Sequence, residues 1–438
     1  MKKIRNRSLF ALIIAAAVVF GMLIYIISLS ANGEKWVMLR ANQRIFSQGV
    51  LNTGTLTDRN GTVLASAGGG IYRYADDEIL RRASLHVVGD YGGNIGTGAL
   101  NNFAAELAGY SFIDGVNSLR DEGATVALSI DAKLQTTAYN ALAGRRGVVL
   151  VMNYETGEIL CMVSTPTFDP NAGLNPDSPI ESGAYINRAI SSTYVPGSVF
   201  KLVTLAAAIE NIPDLYTRSF YCGGSVQVGG DTVNCTGAHG TQTIEVALAH
   251  SCNCAFSELS QELGSETLSE YAKMMGLTDS LTLDGIHCAA GNFDKAEPGS
   301  SLLSWSGIGQ HTDLVSPYAM LRLVAAIGND GELVGPSILK KGTPDRSVLL
   351  SRKTAEAISD MMNYNVVYSY GEALFPGVKM YAKTGTAEVG DGSSHAWFVG
   401  FTGGGDQRLA FTVILENAGG GLANAAPVAN AVIQAAIG

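Results

Sequence analysis

The stretch Tyr194–Glu210, YVPGSVFKLVTLAAAIE, decides how the rest of the chain is read. Pro196, Gly197 and Ser198 stand just before a run whose apolar positions, Phe200, Leu202, Val203, Ala206, Ala207 and Ile209, recur with helical spacing. Proline and serine belong at such a helix start. Positions three apart on a helix are neighbours, so Ser198 and Lys201 are predicted to share one face. The run is apolar on most sides, which predicts burial. Desolvation and the positive end of the helix dipole push a buried lysine there toward its neutral form. A neutral amine beside a hydroxyl is what a general base requires, and the helix N-terminus offers N–H groups to an oxyanion. The structural alternative is an N-cap serine followed by a lysine whose stem snorkels along apolar surface.

The same Ser-x-x-Lys pattern recurs at Ser337 and Lys340 in GPSILKKG. Its context reads as a short extended segment. On a strand, positions three apart face opposite sides, so no serine–base pair is expected there.

Two later stretches supply partners for the first copy. AHSCNCAFSEL (249–259) sets Ser251 and Asn253 two apart, in a polar loop before a short amphipathic helix. Ser30-Ala31-Asn32 repeats that spacing at the end of the N-terminal apolar run, so Ser-x-Asn alone is a weak signal. KMYAKTGTAE (379–388) sets Lys383, Thr384, Gly385 and Thr386 in a strand pattern. A lysine and threonines on an edge strand can hold a carboxylate, and Gly385 is expected to let a ligand backbone come close. An extended peptide can add to such an edge. The alternative for Lys383 is an edge charge that deters aggregation.

The chain has 438 residues, 47% of them hydrophobic and 16% charged. That supports two or three domains with a sizeable core and argues against a mainly disordered chain. The formal charge of −10 argues against nucleic acid as a partner. Lys2, Lys3, Arg5 and Arg7 precede the uncharged apolar run LFALIIAAAVVFGMLIYIISL (9–29). About 20 such residues cross a bilayer as a helix. The positive flank belongs on the cytoplasmic side. The expected layout is a cytoplasmic tail (1–8), an anchor (9–30) and an outer part. A cleaved signal peptide is the alternative, but its apolar core is usually only about 7–15 residues long.

The six cysteines, Cys161, Cys222, Cys235, Cys252, Cys254 and Cys288, would then face a space where disulfides persist. Cys222 and Cys235 bracket a Gly-rich hairpin and are the expected pair. Zinc is a weaker alternative, because Cys-Asn-Cys lacks the usual ligand spacing and no second pair sits at finger spacing.

Residues 31–125 read as a small mixed module. TLTDRNGTVLAS suggests two strands joined by a tight turn at Asn60-Gly61, and ALNNFAAELAG suggests one short helix. From 126 to 438 a second unit begins. TVALSIDAKLQTTAYNALAG is a strand and a helix capped by Ser129 or Asp131. RGVVLVMNYETGEILCMVS is a hairpin turning near Gly157. Residues 185–335 are mostly helical. VKMYAKTGTAE, HAWFVGFTGG and RLAFTVILENAG return to strands, and NAAPVANAVIQAAIG closes as a helix. Strands at both ends with helices between predict an α+β domain: one antiparallel sheet covered by helices.

Ser-x-x-Lys, Ser-x-Asn and Lys-Thr-Gly, in that order, resemble the signature of penicillin-binding proteins and serine β-lactamases. DRNGTVLA (58–65), SIDAKLQTTAYNAL (129–142), VLVMNYETGEILCMVSTPTFDPN (149–171), WSGIGQHTDLVSPYAML (305–321) and KTGTAEVGDGSSHAWFVGF (383–401) are similar to segments of class B penicillin-binding proteins. The short module before residue 126 looks like that of the smaller class B members, which lack a long pedestal. One departure is Thr53-Gly54, where relatives commonly have Arg-Gly, and it bears on how that module docks.

The resemblance implies a peptidoglycan transpeptidase whose Ser198 attacks the carbonyl between the last two D-alanines of a stem peptide. Lys201 would take the serine proton. Ser251 would relay a proton to the leaving D-alanine, and Asn253 would orient Lys201 and the substrate amide. Lys383, Thr384 and Thr386 would hold the terminal carboxylate. The N–H groups of Ser198 and Thr386 would form the oxyanion hole, and β-lactams would acylate Ser198. It also implies no metal or organic cofactor, and a membrane glycosyltransferase as partner.

A β-lactamase would need a deacylating water, and no Glu-x-x-Leu-Asn-like segment lies between Ser251 and Lys383. A D,D-carboxypeptidase or a mainly scaffolding wall protein stays open. A β-lactam sensor would need a larger cytoplasmic part.

Overall fold

In a computed structural model of the chain, every residue is described except 1, 40, 43–44, 48–49, 69–70, 91, 113–114, 117–122, 173–179, 341–343, 391 and 405–407. The predicted hairpin and the three C-terminal strands meet in one sheet. Its order is Lys379–Glu388, Ser394–Gly403, Leu409–Leu415, Gly147–Asn153 and Ile159–Thr165, and every neighbouring pair is antiparallel. Two strands thus come from the start of the domain and three from its end.

Side-chain alternation explains why this sheet needs helices on both faces. Val148, Leu150 and Met152 enter one core, with Leu323 and Val324 of the helix Pro317–Gly328. Val149 and Val151 enter the other, with Leu134 and Ala138 of the helix Ala132–Leu142 and Val428 and Val432 of the helix Gly421–Ile437. A strand buried on both faces reads as a continuous apolar run, as these do. The cap of the helix Ala132–Leu142 is Asp131, whose carboxylate accepts from the N–H groups of Lys133 and Leu134. Ser129, the other expected cap, instead donates to the carbonyls of Ile159 and Ser337.

At the N-terminus a single helix runs from Lys2 to Val37, longer than the anchor expected over 9–30. It is long and apolar enough to cross a membrane, and its apolar side chains are exposed. The mixed module forms a four-stranded sheet in the order Ile71–Tyr74, Val63–Gly68, Gly54–Thr57 and Thr125–Ala127, the last pair parallel. The predicted helix over ALNNFAAELAG is two four-residue turns, Ala99–Asn102 and Ala104–Leu107. Phe103 between them leaves the helical region, at φ −115° and ψ 28°.

The turn at Asn60-Gly61 joins this module to the larger domain. One oxygen of the buried Asp58 carboxylate accepts the N–H groups of Asn60 (2.8 Å) and Thr62 (2.7 Å). The other accepts the N–H of Ala132 at 3.1 Å, at the start of a helix of the larger domain. Arg59 pairs with Glu158 at 3.2 Å, and Arg81 grips Asp169 with two hydrogen bonds of 2.8 and 2.7 Å. At Thr53-Gly54, Gly54 has φ +98°, and a Cβ there would lie 2.7 Å from the Leu107 carbonyl oxygen.

Removing the Asp58 carboxylate strands three backbone donors, so Asp58→Ala is expected to lower stability by about 2 kcal/mol. Urea denaturation of the detergent-solubilised chain checks this, and Asp58→Asn should recover part of the loss.

Candidate active site

Ser198 lies in a single 3₁₀ turn, Gly197–Val199, that leads into the helix Lys201–Asn211. The turn packs on the edge strand Lys379–Glu388. Gly197 has φ +56°, and a Cβ on it would sit 2.8 Å from the Thr386 carbonyl oxygen and 3.1 Å from the Ala387 Cβ. Only glycine lets the serine turn and the strand come this close. Gly385 serves the same contact from the strand side. A Cβ there would meet Pro196 O and Val199 Cγ1, each at 3.1 Å. This corrects the expectation that Gly385 makes room for a ligand: what approaches it is the protein's own serine turn.

Lys201 is fully buried one turn after Ser198. Its Nζ donates to the Ser251 carbonyl at 2.6 Å and the Asn253 Oδ1 at 2.7 Å, and lies 3.2 Å from the Ser251 Oγ. Ser251 has φ +51° just before the helix that begins at Asn253, which aims its carbonyl and hydroxyl at this amine. Asn253 is pinned in turn, its Nδ2 donating to the Asn234 carbonyl at 2.8 Å.

Lys383 is also fully buried. Its Nζ lies 3.0 Å from the Ser251 Oγ and 2.9 Å from the Thr384 carbonyl. Burial removes the reading of Lys383 as an exposed edge charge. The Ser251 hydroxyl thus bridges two lysines. Burial pulls Lys201 down to about 7, while negative charge on the neighbouring Cys235, Cys252 and Cys254 sulfurs draws it partly back up. Burial, and then the charge of Lys201, pulls Lys383 well below its ordinary value. Two cations this close cannot both stay fully charged without water. The arrangement can hold a neutral amine at pH 7 beside a hydroxyl that passes a proton on.

Ser198, Ser251, Asn253, Thr384 and Thr386 line one cleft of about 510 Å³. Lys201, Lys383 and Gly385 lie behind its wall. The strand beside the cleft is the first in the sheet order. Over residues 380–384 its outer edge is taken by the side chains of Asn363, Asn365, Tyr370 and Lys383, which leaves the stretch from Thr386 onward for an added strand. A larger cavity, about 630 Å³, lies elsewhere, around Asp284 and Ser337. There the Ser337 hydroxyl donates to the Asp284 carboxylate, and Lys340 reaches the Arg59 carbonyl at 3.4 Å. This second Ser-x-x-Lys copy therefore forms no serine–amine pair; the Lys341 and Gly342 that follow it lie outside the described residues.

Sequence reasoning missed several neighbours of the cleft. The half-buried Tyr370 accepts the Thr384 N–H at 3.1 Å and meets the Thr384 Oγ1 at 3.2 Å, fixing the rotamer of that threonine. Nothing periodic in NVVYSY marks it. Trp305, Gln310 and Glu388 also line the cleft; the first two lie in the segment WSGIGQ already set apart as family-like. The expected Cys222–Cys235 pair gives way to a wider cluster. The Cys222 Sγ is 3.4 Å from the Cys254 Sγ, the Cys235 Sγ is 3.9 Å from the Cys252 Sγ, and all six cysteines are thiols.

A family model for the penicillin binding protein transpeptidase domain matches residues 147–434. The chain belongs to the penicillin-binding protein transpeptidase family. Among relatives of this transpeptidase, the peptidoglycan D,D-transpeptidase PbpA of Mycolicibacterium smegmatis is 29% identical over 394 residues, covering 77% of each chain. Stage V sporulation protein D of Bacillus subtilis is 31% identical over 68% of this chain and 50% of its own. The fold superposes on the crystal structure of PBPA from Mycobacterium tuberculosis with a TM-score of 0.76 at 26% identity, covering 88% of this chain and 100% of that one. It also superposes on the penicillin G acyl-enzyme complex of penicillin-binding protein A from that organism, with a TM-score of 0.72 at 27% identity and the same coverage.

Gly197→Ala tests the closeness of the transpeptidase domain's serine turn and edge strand. The added methyl should displace Ser198 and slow acylation by a fluorescent penicillin by about 100-fold. The readout is the labelling rate of protein whose circular dichroism matches the parent.

Proposed function

We propose that this chain is a membrane-anchored peptidoglycan D,D-transpeptidase that cross-links stem peptides through an acyl-enzyme on Ser198. The observation that carries the assignment of residues is the Ser251 hydroxyl held between the Lys201 and Lys383 amines, at 3.2 and 3.0 Å. The stem peptide adds its extended end to the strand Lys379–Glu388 from Thr386 onward, beyond the stretch whose edge is held by Asn363, Asn365 and Tyr370. Its terminal carboxylate meets the Thr384 and Thr386 hydroxyls that line the cleft, with the Lys383 amine behind them. Neutral Lys201 takes the Ser198 proton as Oγ attacks the penultimate D-alanine carbonyl. The oxyanion forms against the N–H groups of Ser198 and Thr386, which the tight Gly197–Thr386 contact supports. The proton then passes from Lys201 through Ser251 to the leaving D-alanine nitrogen, while Asn253 keeps Lys201 aligned. An amine from a neighbouring stem peptide attacks the ester and restores Ser198. β-Lactams enter the same path and stop at the ester.

The anchor places Lys2, Lys3, Arg5 and Arg7 in the cytoplasm and residues 126–438 outside, with residues 31–125 as a docking module of the short-pedestal kind. A membrane glycosyltransferase is the partner that such an anchored cross-linking enzyme requires beside it. Water in place of the amine would make the enzyme a carboxypeptidase.

Two experiments test this. Ser198→Ala should lose labelling by fluorescent penicillin completely, and persistent labelling would refute the nucleophile. A time course with a stem-pentapeptide donor, with and without an acceptor amine, should give cross-linked dimer as the main product when the amine is present. Free acid as the sole product would establish carboxypeptidase activity instead.

A further inference from the structure

The cysteines that the proposed reaction does not use are grouped beside the residues that it does. Cys222 closes the short strand Phe220–Cys222, and Cys235 follows the hairpin strand Asp231–Asn234. Cys252 and Cys254 flank Asn253 where the helix Asn253–Met274 begins. The Sγ atoms of Cys222, Cys235 and Cys252 and a ring nitrogen of His239 all lie within 4.8 Å of one another. Cys254 adds a fourth sulfur 3.4 Å from that of Cys222, and the His239 Nδ1 is 3.6 Å from the Cys235 Sγ. Cys222, Cys252 and Cys254 are buried, whereas Cys235 also lines the catalytic cleft.

These distances carry chemical information. Sulfurs joined in a disulfide lie about 2.0 Å apart. Sulfurs at the corners of a tetrahedron around zinc, each at about 2.3 Å from the ion, lie about 3.8 Å apart. The two closest pairs here, at 3.4 and 3.9 Å, bracket the tetrahedral value. The Asn253 N–H donates to the Cys235 Sγ at 3.2 Å, the polarity that suits a thiolate at a helix start. Thiolate-rich tetrahedral sets select zinc among the divalent ions, and a set closed by four protein ligands is structural. The sequence objection to zinc concerned the Cys-Asn-Cys spacing. It lapses because the hairpin brings Cys222 and Cys235 from a distance.

We propose that Cys222, Cys235 and Cys252, with Cys254 or His239 as the fourth ligand, bind one structural zinc ion that staples the hairpin to the Ser251–Asn253 turn. The ion takes no part in bond making. Its ligand Cys252 lies between Ser251 and Asn253, so it fixes the left-handed Ser251 and the Asn253 amide against Lys201. The metal site stands on its own geometry; its effect on acylation rests on the function proposed above.

The test uses the full chain, solubilised in detergent and purified under mild reducing conditions without chelator. Metal analysis should find about one zinc per chain. Cys235→Ser and Cys252→Ser should each lose it, while Cys161→Ala and Cys288→Ala, outside the cluster, should retain it. Stripping zinc from the parent with a strong chelator should lower the melting temperature and slow penicillin acylation, and added Zn²⁺ should restore both. Replacement by Co²⁺ should give the near-ultraviolet sulfur-to-metal charge-transfer bands of thiolate ligation.

Parent protein that is folded and acylated, yet holds no more zinc after incubation with Zn²⁺ than Cys252→Ser does, would overturn the site. Peptide mapping that finds Cys222–Cys254 and Cys235–Cys252 disulfides in the same protein would overturn it too. Unchanged acylation after complete zinc removal would overturn the positioning role. Ser198→Ala with its zinc retained but no labelling separates the metal site from the reaction.

Discussion

Two fully buried lysines share one serine hydroxyl. Much of the catalytic half of this molecule follows from that constraint. Lys201 comes from the helix Lys201–Asn211, Lys383 from the edge strand of the sheet, and Ser251 from the turn before the helix Asn253–Met274. The amines can be brought together only if the elements that carry them are fixed on three sides. The five-stranded sheet fixes the strand, the apolar helix behind Ser198 fixes Lys201, and Asn234 fixes Asn253. Burial withdraws charge from both amines, which converts a structural cost into a supply of free base at neutral pH.

The serine turn depends on the same close packing. Gly197 and Gly385 remove the two Cβ atoms that would hold the turn and the strand apart, and Trp397 donates to the Val195 carbonyl at 3.0 Å just upstream. A lysine base and an oxyanion site made from two separate elements work only at such separations. In the reaction proposed here, two glycines, neither of which touches substrate, set the distance over which Ser198 acts.

Much of this was legible in the sequence, for physical reasons. The sheet was legible because its inner strands are apolar on both faces, and the helix after Ser198 because its apolar spacing is helical. The rejection of Ser337 followed from its extended context, and the structure ties that hydroxyl to Asp284. Other features depend on contacts between distant segments. The pairing of Lys383 with Ser251, the inward role of Gly385 and the grip of Tyr370 on Thr384 leave no local pattern. The cysteine cluster illustrates this most clearly. Cys-Asn-Cys spacing argued against a metal, yet the fold delivers two further thiols and a histidine from the adjacent hairpin.

The central claim is that Lys201 is a neutral base at physiological pH, held so by burial. It is tested most directly by the pH dependence of the second-order rate of acylation by a soluble penicillin, from pH 5 to 9. Lys201 is pulled down to about 7, so its free-base fraction grows as pH rises. The rate should therefore climb about tenfold per pH unit on the acid side and level off above about 7. A rate that is flat across this range, or that falls as pH rises through 7, would contradict the account.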